Sequence, residues 1–525
     1  MKSLKLGELV MNNKFTRRTM LQTTAAAGAL STLGTPAFAG PKVGGRLRMG
    51  LSGSNTSDTW DSRTHTDYYM ITMGHGCVFE CLTEVLANGK LSGELASSWE
   101  ASADAKVWTF NLKKGVKFHN GKSFGADDVI ASLKMHVEEG AKSAAKPIVS
   151  NIAEMKKLGE HQVQLTLNGG NADLPFLLSD YHICMYPAGM IDEAIAKGIG
   201  TGPYRVVSFD PGVRTLCKRV DDHHMSDVGG YFDEVEALGI TDPAARTNAL
   251  MTGQVDVIDS VEKKTLPLMK QNPAVQVLEV TGNMQYTFPM LVGSAPFGDV
   301  NVRKALKWGV NRQEMVDKVL LGHGAIGNDH PIGPANQYVA KDLPQTEYDA
   351  DKAKFYLKKA GLASLDVDLS AADAAFGGAL DAAQLYQNSS KAAGININIV
   401  QEANDGYWSN VWLKKPWCAC YWSGRATEDW MFATAYERGV PWNDTGWDDD
   451  RFQSLLLQGR VELDSGKRGD IYREMQKICS EDGATVIPMF ANFVDGYSSK
   501  LAHGPDVGNL WKIDNARVSK RWWFA

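Results

Sequence analysis

The pattern of hydrophobic and polar positions predicts β-strands that alternate with amphipathic helices along most of the chain. The clearest strand is 395–400, where Ile395, Ile397 and Ile399 share one face and asparagines take the other. The same alternation predicts further strands at 43–51, 106–112, 162–167, 417–422 and 485–490. A helical period predicts helices at 127–138 (with Ser123 as the cap), 243–252, 300–321, 350–360, 379–393 and 471–481. Strands mixed with helices in this order predict an α/β protein.

Length and charge narrow the class of protein. The chain has 525 residues, of which 44% are hydrophobic, so it is long enough for more than one folded unit. Lys and Arg number 55 against 61 Asp and Glu, which gives a net charge of −6. This balance excludes a generally basic protein that binds nucleic acid by neutralising phosphates.

The first 39 residues have the layout of a signal peptide. Arg17 and Arg18 belong to a positive region that resembles a twin-arginine export signal, and a weakly apolar stretch follows at 20–38. The small residue Ala39 before Gly40 fits a signal-peptidase site. The apolar stretch is too short and too polar to favour an uncleaved membrane anchor. Either Met1 or Met11 fits as the start of translation.

The seven cysteines and one acidic, histidine-rich segment are the places where a metal would be sought. We interpret the cysteines as small buried hydrophobic residues with at most one disulfide, whose connectivity the sequence leaves open. Asp221, Asp222, His223, His224 and Asp227 form the segment, but adjacent histidines diverge on a strand or a helix. A solvated loop is therefore the favoured interpretation, and no metal or other cofactor is expected.

Known catalytic motifs are missing from the sequence, whereas its last quarter is rich in tryptophan. There is no Walker loop, dinucleotide-binding glycine motif, G-x-S-x-G or H-E-x-x-H sequence. Seven tryptophans within forty residues are hard to bury in one core, so we expect some of them to line a cleft. They are Trp408, Trp412, Trp417, Trp422, Trp430, Trp442 and Trp447.

Six segments of the chain, in order, carry motifs of one known family of proteins. The most specific segment is 91–129, LSGELASSWEASADAKVWTFNLKKGVKFHNGKSFGADDV. The remaining five are the G-T-G-P-Y-R turn at 200–205, DPAARTNALMTGQVD at 242–256, the PFGDVNVRKA helix with Asn311-Arg312 at 296–312, YDADKAKFYLKKAG at 348–361, and 472–488. Together they resemble the dipeptide/oligopeptide class (family 5) of solute-binding proteins that serve ABC importers, and 91–129 is similar to that family's signature.

The resemblance implies a two-lobed α/β periplasmic-binding-protein fold of type II, with strands that cross between the lobes. Lobe I is expected at 41–282 and 487–525, with an extra subdomain at about 67–200, and lobe II at 283–486. Gly282 and Asn283 are then the expected hinge.

The resemblance also points to a ligand-binding loop, in which this chain departs from the family pattern. Peptide binders carry an acidic residue there for the peptide's amino group, whereas this chain has Arg425 in the first acidic position. A guanidinium suits a carboxylate or phosphate, so we expect Arg425 to anchor an acid group and Glu428 or Asp429 to meet a cationic group. The alternative is an ion pair between Arg425 and one of these two carboxylates. Apolar walls are assigned to Trp408, Trp422 and Trp442.

The resulting expectation is a periplasmic, monomeric receptor without catalytic activity. It would carry a short peptide or peptide-like solute to the membrane subunits of an ABC permease. A secreted metal-dependent hydrolase that uses the 221–227 segment and the cysteines is the alternative from a different class. The same fold acting as a chemoreceptor ligand carrier or a redox-quality-control chaperone is a third. The sequence leaves the identity of the solute open.

Overall fold

A computed structural model describes residues 41–404 and 406–525. The predicted signal peptide, with Arg17, Arg18 and the cleavage site at Ala39 and Gly40, lies outside these residues. Within the described ranges, no helix combines the length and the apolar character that a membrane crossing requires.

The described chain alternates strands with helices, as an α/β fold requires. In chain order the strands are β1 (Arg46–Leu51), β2 (Thr83–Val85), β3 (Leu91–Gly93), β4 (Ala96–Ala101), β5 (Val107–Leu112), β6 (Ile152–Gly159), β7 (Gln162–Leu167), β8 (Tyr204–Asp210), β9 (Arg214–Arg219), β10 (Glu234–Gly239), β11 (Val257–Ile258), β12 (Val275–Pro289), β13 (Gly324–Ile326), β14 (Leu365–Ala371), β15 (Ile395–Gln401), β16 (Cys420–Trp422), β17 (Thr485–Ser498), β18 (Leu501–Ala502) and β19 (Trp523–Phe524). Helices of seven or more residues are α1 (Ala126–Lys134), α2 (Ile191–Lys197), α3 (Pro243–Met251), α4 (Val300–Gly309), α5 (Arg312–Lys318), α6 (Ala350–Lys359), α7 (Ala379–Ser390), α8 (Glu428–Ala435), α9 (Asp450–Val461) and α10 (Ser465–Glu481).

One nine-stranded sheet organises the molecule. Its strand order is β16-β12-β17-β11-β1-β10-β9-β8, and β13 also pairs with β17. A separate antiparallel sheet has the order β4-β5-β7-β6, and β14 pairs with β15 in parallel. The pattern-based strand at 162–167 is confirmed as β7, and the one at 395–400 is confirmed as β15.

Several of the predicted element boundaries are wrong: among them, the strand at 417–422 begins only at Cys420, and the helix at 471–481 begins earlier, at Ser465. The single helix at 300–321 is two helices, because Val310 is extended and the Asn311 side chain accepts the N–H of Glu314 to cap α5. Gly125 rather than Ser123 precedes α1, and its N–H donates to Asp128 at 2.9 Å. The short strand at 485–490 is the first part of β17, which runs on to Ser498.

Two long antiparallel strands, β12 and β17, connect separate apolar cores. The largest core uses residues of β12 such as Leu278, whereas a second core takes Phe288 from the other end of the same strand. The pairing of β12 with β17 shifts register between Thr281 and Met284, at the predicted hinge. A Cβ on Gly282 would lie 2.3 Å from the Phe493 ring on β17, so glycine is needed there for close packing. The lobe boundaries themselves stay a prediction.

Candidate functional site

The loop that carries Arg425 is fixed to the predicted hinge through its backbone. It follows β16, the edge strand that pairs with β12. The Arg425 carbonyl accepts hydrogen bonds from the side-chain amides of Asn283 (3.4 Å) and Asn336 (3.0 Å). Gly424 has φ +80°, and a Cβ there would lie 2.4 Å from the Asn283 Cβ. Asn283, expected as a hinge residue, therefore also positions the candidate ligand loop.

The Arg425 guanidinium is partly buried and has no acidic partner in the described part of the chain. Its Nη1 donates to the Gly424 carbonyl at 2.7 Å, and its centre lies 5.9 Å from the Trp422 ring and 5.7 Å from the Trp430 ring. No carboxylate of the described residues lies within 4.0 Å of it, so the alternative of an ion pair with Glu428 or Asp429 is not what the structure contains. Burial lowers the pKa of Arg425, because the charged guanidinium loses part of its hydration. An incoming acid group would offset this loss and is therefore a favourable partner.

Glu428 and Asp429 are buried at the start of α8, where both already have partners within the protein. The Glu428 carboxylate accepts the backbone N–H of Tyr338 at 2.6 Å. Arg460 donates through Nε to both oxygens of Asp429, at 3.0 and 3.2 Å. Burial raises the pKa of Glu428 and the pKa of Asp429, each to about 7. A cationic group of a ligand would have to compete with these contacts, and the role expected for the two acids stays a prediction.

Four of the predicted tryptophans form a continuous row of rings that begins beside Arg425. Trp422 is 8% exposed, and the ring of Trp442, which is 49% exposed, lies 6.1 Å from it. Trp412 lies 6.1 Å from Trp422 and 6.0 Å from Trp408, which is 41% exposed. Asp444 accepts the indole N–H groups of both Trp412 and Trp422 at 3.2 Å. The three tryptophans predicted as walls thus share one surface that adjoins Arg425.

Of the other three tryptophans in this segment, two are buried in apolar cores and Trp430 is partly exposed. Trp417 and Trp447 are 1% and 4% exposed and belong to two apolar cores. Trp417 packs against Phe297 and Tyr386 with ring centroids 5.9 and 5.4 Å apart. These two are structural residues, which spacing along the sequence does not distinguish from cleft residues.

A segment that the sequence pattern did not single out, 180–182, lies within electrostatic reach of Arg425. Burial raises the pKa of Tyr181, and the charge of Arg425 opposes this shift, which places the two groups within electrostatic reach. Asp180 pairs with Nδ1 of His182 at 2.7 Å. Burial alone would lower the pKa of His182, but Asp180 raises it above its ordinary value. No periodicity or motif marks this segment, so only the fold brings it to the site.

A buried ion pair joins residues of the two predicted lobes. Asp173, in the expected lobe I, accepts from Arg468 Nη1 at 2.9 Å, and their side chains are 5% and 9% exposed. Next to it, the Ala172 N–H donates to the Arg460 carbonyl at 2.7 Å. This pair is therefore a contact between the two predicted lobes.

The histidine-rich segment folds differently from the expectation. His223 and His224 both reach Glu80, with Nε2 of His224 at 2.9 Å and that of His223 at 3.5 Å. The interpretation as a solvated loop is wrong for the two histidines, of which His223 is buried and His224 partly buried; the segment is an irregular turn, so the divergence expected on a strand or helix does not apply. Nδ1 of His223 accepts the N–H of Met225, so Nε2 carries the proton and faces the carboxylate and the Thr201 carbonyl. The acids at 221, 222 and 227 are exposed and take no part.

The seven cysteines are buried and unbonded. The interpretation as small buried hydrophobic residues is confirmed for these positions, and the structure contains no disulfide among them. Cys81, Cys184 and His75 lie close together, with Nδ1 of His75 3.7 Å from Cys81 Sγ. The guanidinium of Arg517 lies 3.4 Å from the same nitrogen, which disfavours a metal cation at this point.

Comparison with known proteins settles the family. Residues 90–444 match the family described as "Bacterial extracellular solute-binding proteins, family 5 Middle". The chain belongs to the family 5 bacterial extracellular solute-binding proteins. Among its relatives, a di/tripeptide-binding protein of Pseudomonas aeruginosa is 27% identical over 455 residues, which cover 77% of this chain and 81% of that protein.

Solved structures show the same two-lobed fold of family 5. HbpA2 from Haemophilus parasuis has a TM-score of 0.80 at 18% identity and covers 89% of this chain and 98% of its own. The binding protein AgaA of Agrobacterium tumefaciens, solved with agropinic acid, has a TM-score of 0.72 at 23% identity, with coverages of 92% and 98%. The family gives no support to the alternative of a metal-dependent hydrolase, nor to a separate role as chemoreceptor ligand carrier or chaperone.

Proposed function

We propose that this family 5 protein works in the periplasm, where it captures a short peptide or peptide-like acid between its lobes and delivers it, unchanged, to the permease of an ABC importer. The single observation that carries the choice of an acid is Arg425, a partly buried guanidinium without a carboxylate partner among the described residues. Relatives named as peptide-binding proteins support the peptide-like part of the proposal. No catalytic step is part of this function.

Hinged closure supplies the mechanism of capture. Lobe I (41–282 and 487–525) and lobe II (283–486) would rotate about the crossing strands β12 and β17, near Gly282 and its register shift. A solute favours the closed form only by binding it more tightly than the open form. The ion pair between Asp173 and Arg468 adds to the stability of the closed form, because opening of the lobes would separate the two side chains.

Within the closed site, Arg425 would hold the acid group and the indole rings would hold the body of the solute. The guanidinium offers donors in a planar fork that matches a carboxylate. Trp422 and Trp442 continue from Arg425 as apolar surface, with Trp408 further along the row. Arg425 repels an ammonium group, so a free amino terminus is not the group that this position recognises.

The test uses the solute that the purified protein retains. Mass spectrometry of a denatured sample identifies this solute, and calorimetry then measures its affinity for the wild type and for Arg425→Gln. Loss of a charge-assisted contact predicts an affinity about tenfold or more weaker. Arg438→Gln is the matched control, because Arg438 is an exposed arginine paired with Asp448. Equal affinities of the wild type and Arg425→Gln would remove Arg425 from the site.

A further inference from the structure

Near its end, the chain makes a turn of left-handed helix. Ile513, Asp514, Asn515 and Ala516 all have φ between 51° and 60°. This conformation is costly for residues with a side chain, most of all for a β-branched residue such as Ile513. Strain of this kind persists only where the surrounding structure over-determines it, and it clusters at functional sites.

Buried polar contacts of the turn hold the preceding residues in place. Asp514 Oδ1 accepts the N–H of Gly508 at 2.7 Å and Nη1 of Arg521 at 2.9 Å. Asn515 Oδ1 accepts the N–H of Leu510 at 2.9 Å and that of Trp511 at 3.1 Å. The strained turn therefore fixes the backbone of Trp511 and so helps to position its side chain.

Trp511 packs against Tyr181, in the segment that lies within electrostatic reach of Arg425. Its ring centroid is 5.2 Å from that of Tyr181 at an interplanar angle of 80°, and 6.0 Å from that of His75. Trp511 and Tyr181 are both partly exposed. Tyr181 lies within electrostatic reach of Arg425, whose other neighbours are the rings of Trp422 and Trp430. Trp422 and Trp430 of predicted lobe II thus lie beside the guanidinium, and Tyr181 of predicted lobe I, with Trp511 packed against it, lies within its electrostatic reach.

We propose that Trp511 and Tyr181 form the lobe I wall of the solute site, and that the solute is an acid that carries an aromatic ring. This inference rests on the proposed function and adds the substrate class. Edge-to-face pairs such as Trp511 with Tyr181 leave ring surface available for a third ring. Asp180, the acid next to Tyr181 in sequence, is paired with His182 and is therefore not free to bind an ammonium group.

Three compounds distinguish the contribution of the aromatic ring to the affinity from that of the acid group. N-acetylphenylalanine has both, N-acetylleucine has the acid without the ring, and N-acetylphenylalaninamide has the ring without the acid. Calorimetry on the wild type is expected to give an affinity for N-acetylphenylalanine about threefold to tenfold higher than for N-acetylleucine, as aromatic pairs provide. The amide is expected to show no measurable binding.

The variant Trp511→Leu is expected to abolish the preference for phenylalanine over leucine while it keeps the binding of N-acetylleucine. Tyr181→Leu repeats the test from the other ring, in case Trp511→Leu fails to fold. Trp308→Leu is the control, because Trp308 is a partly exposed tryptophan in a different core whose ring is covered by Lys352 at 3.9 Å.

Equal affinities of the wild type for the two acids, or an unchanged preference in folded Trp511→Leu and Tyr181→Leu, would overturn the inference. So would a failure of all three compounds to bind protein that still binds the solute recovered from it. In that last case the proposed function stands and only the substrate class is wrong. A purified protein that binds no solute at all would count against both.

Discussion

Replacing Arg468 by methionine tests whether the ion pair with Asp173 acts as a latch of the closed form. The pair is 2.9 Å long, its members are 5% and 9% exposed, and it joins the two predicted lobes. Removing one partner of a buried pair costs about 3–5 kcal/mol, since the remaining charge is left unpaired. The lower end applies here, because opening the cleft would rehydrate Asp173.

In the proposed mechanism the solute binds the closed form more tightly than the open form, so a free-energy cost to closure lowers the affinity by up to the same amount. About 3 kcal/mol corresponds to roughly a hundredfold weaker binding. Burial raises the pKa of Asp173, and protonation relieves the unpaired charge. The affinity loss in Arg468→Met is therefore expected to be larger at high pH than at low pH.

Calorimetry with the solute recovered from the protein measures this loss, and Arg473→Met on the same helix is the control. Arg473 pairs with Asp342 at the surface, with side chains 41% and 64% exposed. A loss smaller than about threefold in Arg468→Met, as expected for an exposed pair, would refute the latch. The double variant Asp173→Asn with Arg468→Met should recover part of the affinity, because it leaves no unpaired charge.

Three further predictions concern pH, core and hinge. Burial raises the pKa of Glu428 from 4.5 to about 7, so the folded protein binds this proton more tightly than the unfolded chain. The Tm of the wild type should therefore fall as the pH rises from 4.5 to about 7. The Tm of Glu428→Gln should fall less steeply over the same range. Trp417→Ala should lower the free energy of unfolding in urea by about 3–5 kcal/mol, and a loss under 1 kcal/mol would contradict its place in the core. Gly282→Ala should lower the free energy of unfolding by about 1–3 kcal/mol in the same assay, because its Cβ would press on Phe493. Adding Phe493→Leu to this variant should restore part of the lost stability. If it restores none, this clash is not the cause of the loss.

Local periodicity predicted six of the nineteen strands of the described residues and most of the longer helices, because each of these buries one face on the core. It failed where a side chain acts on the backbone. Asn311 ends one helix and begins the next by capping, and two helices with a continuous apolar pattern then look like one. The length of β17 was missed, since a strand buried on both faces near the crossover has no alternation to detect.

The candidate site was predictable in part. Arg425 stands out because an arginine occupies a position where an acid is the family pattern, and the row of tryptophans stands out by density alone. Tyr181 and Trp511 lie far apart in sequence and have no shared motif, so only the fold brings their rings to 5.2 Å. The partners of Asp429 and Glu428 could not be predicted either, because Arg460 and Tyr338 reach them from distant segments.

Small-angle X-ray scattering of the purified protein, stripped of its solute and then saturated with it, tests most directly whether this molecule closes around the solute that it binds. We expect a smaller radius of gyration in the saturated sample, with the solute recovered chemically intact afterwards. Identical scattering curves at saturation, or a solute converted to another compound, would contradict the account.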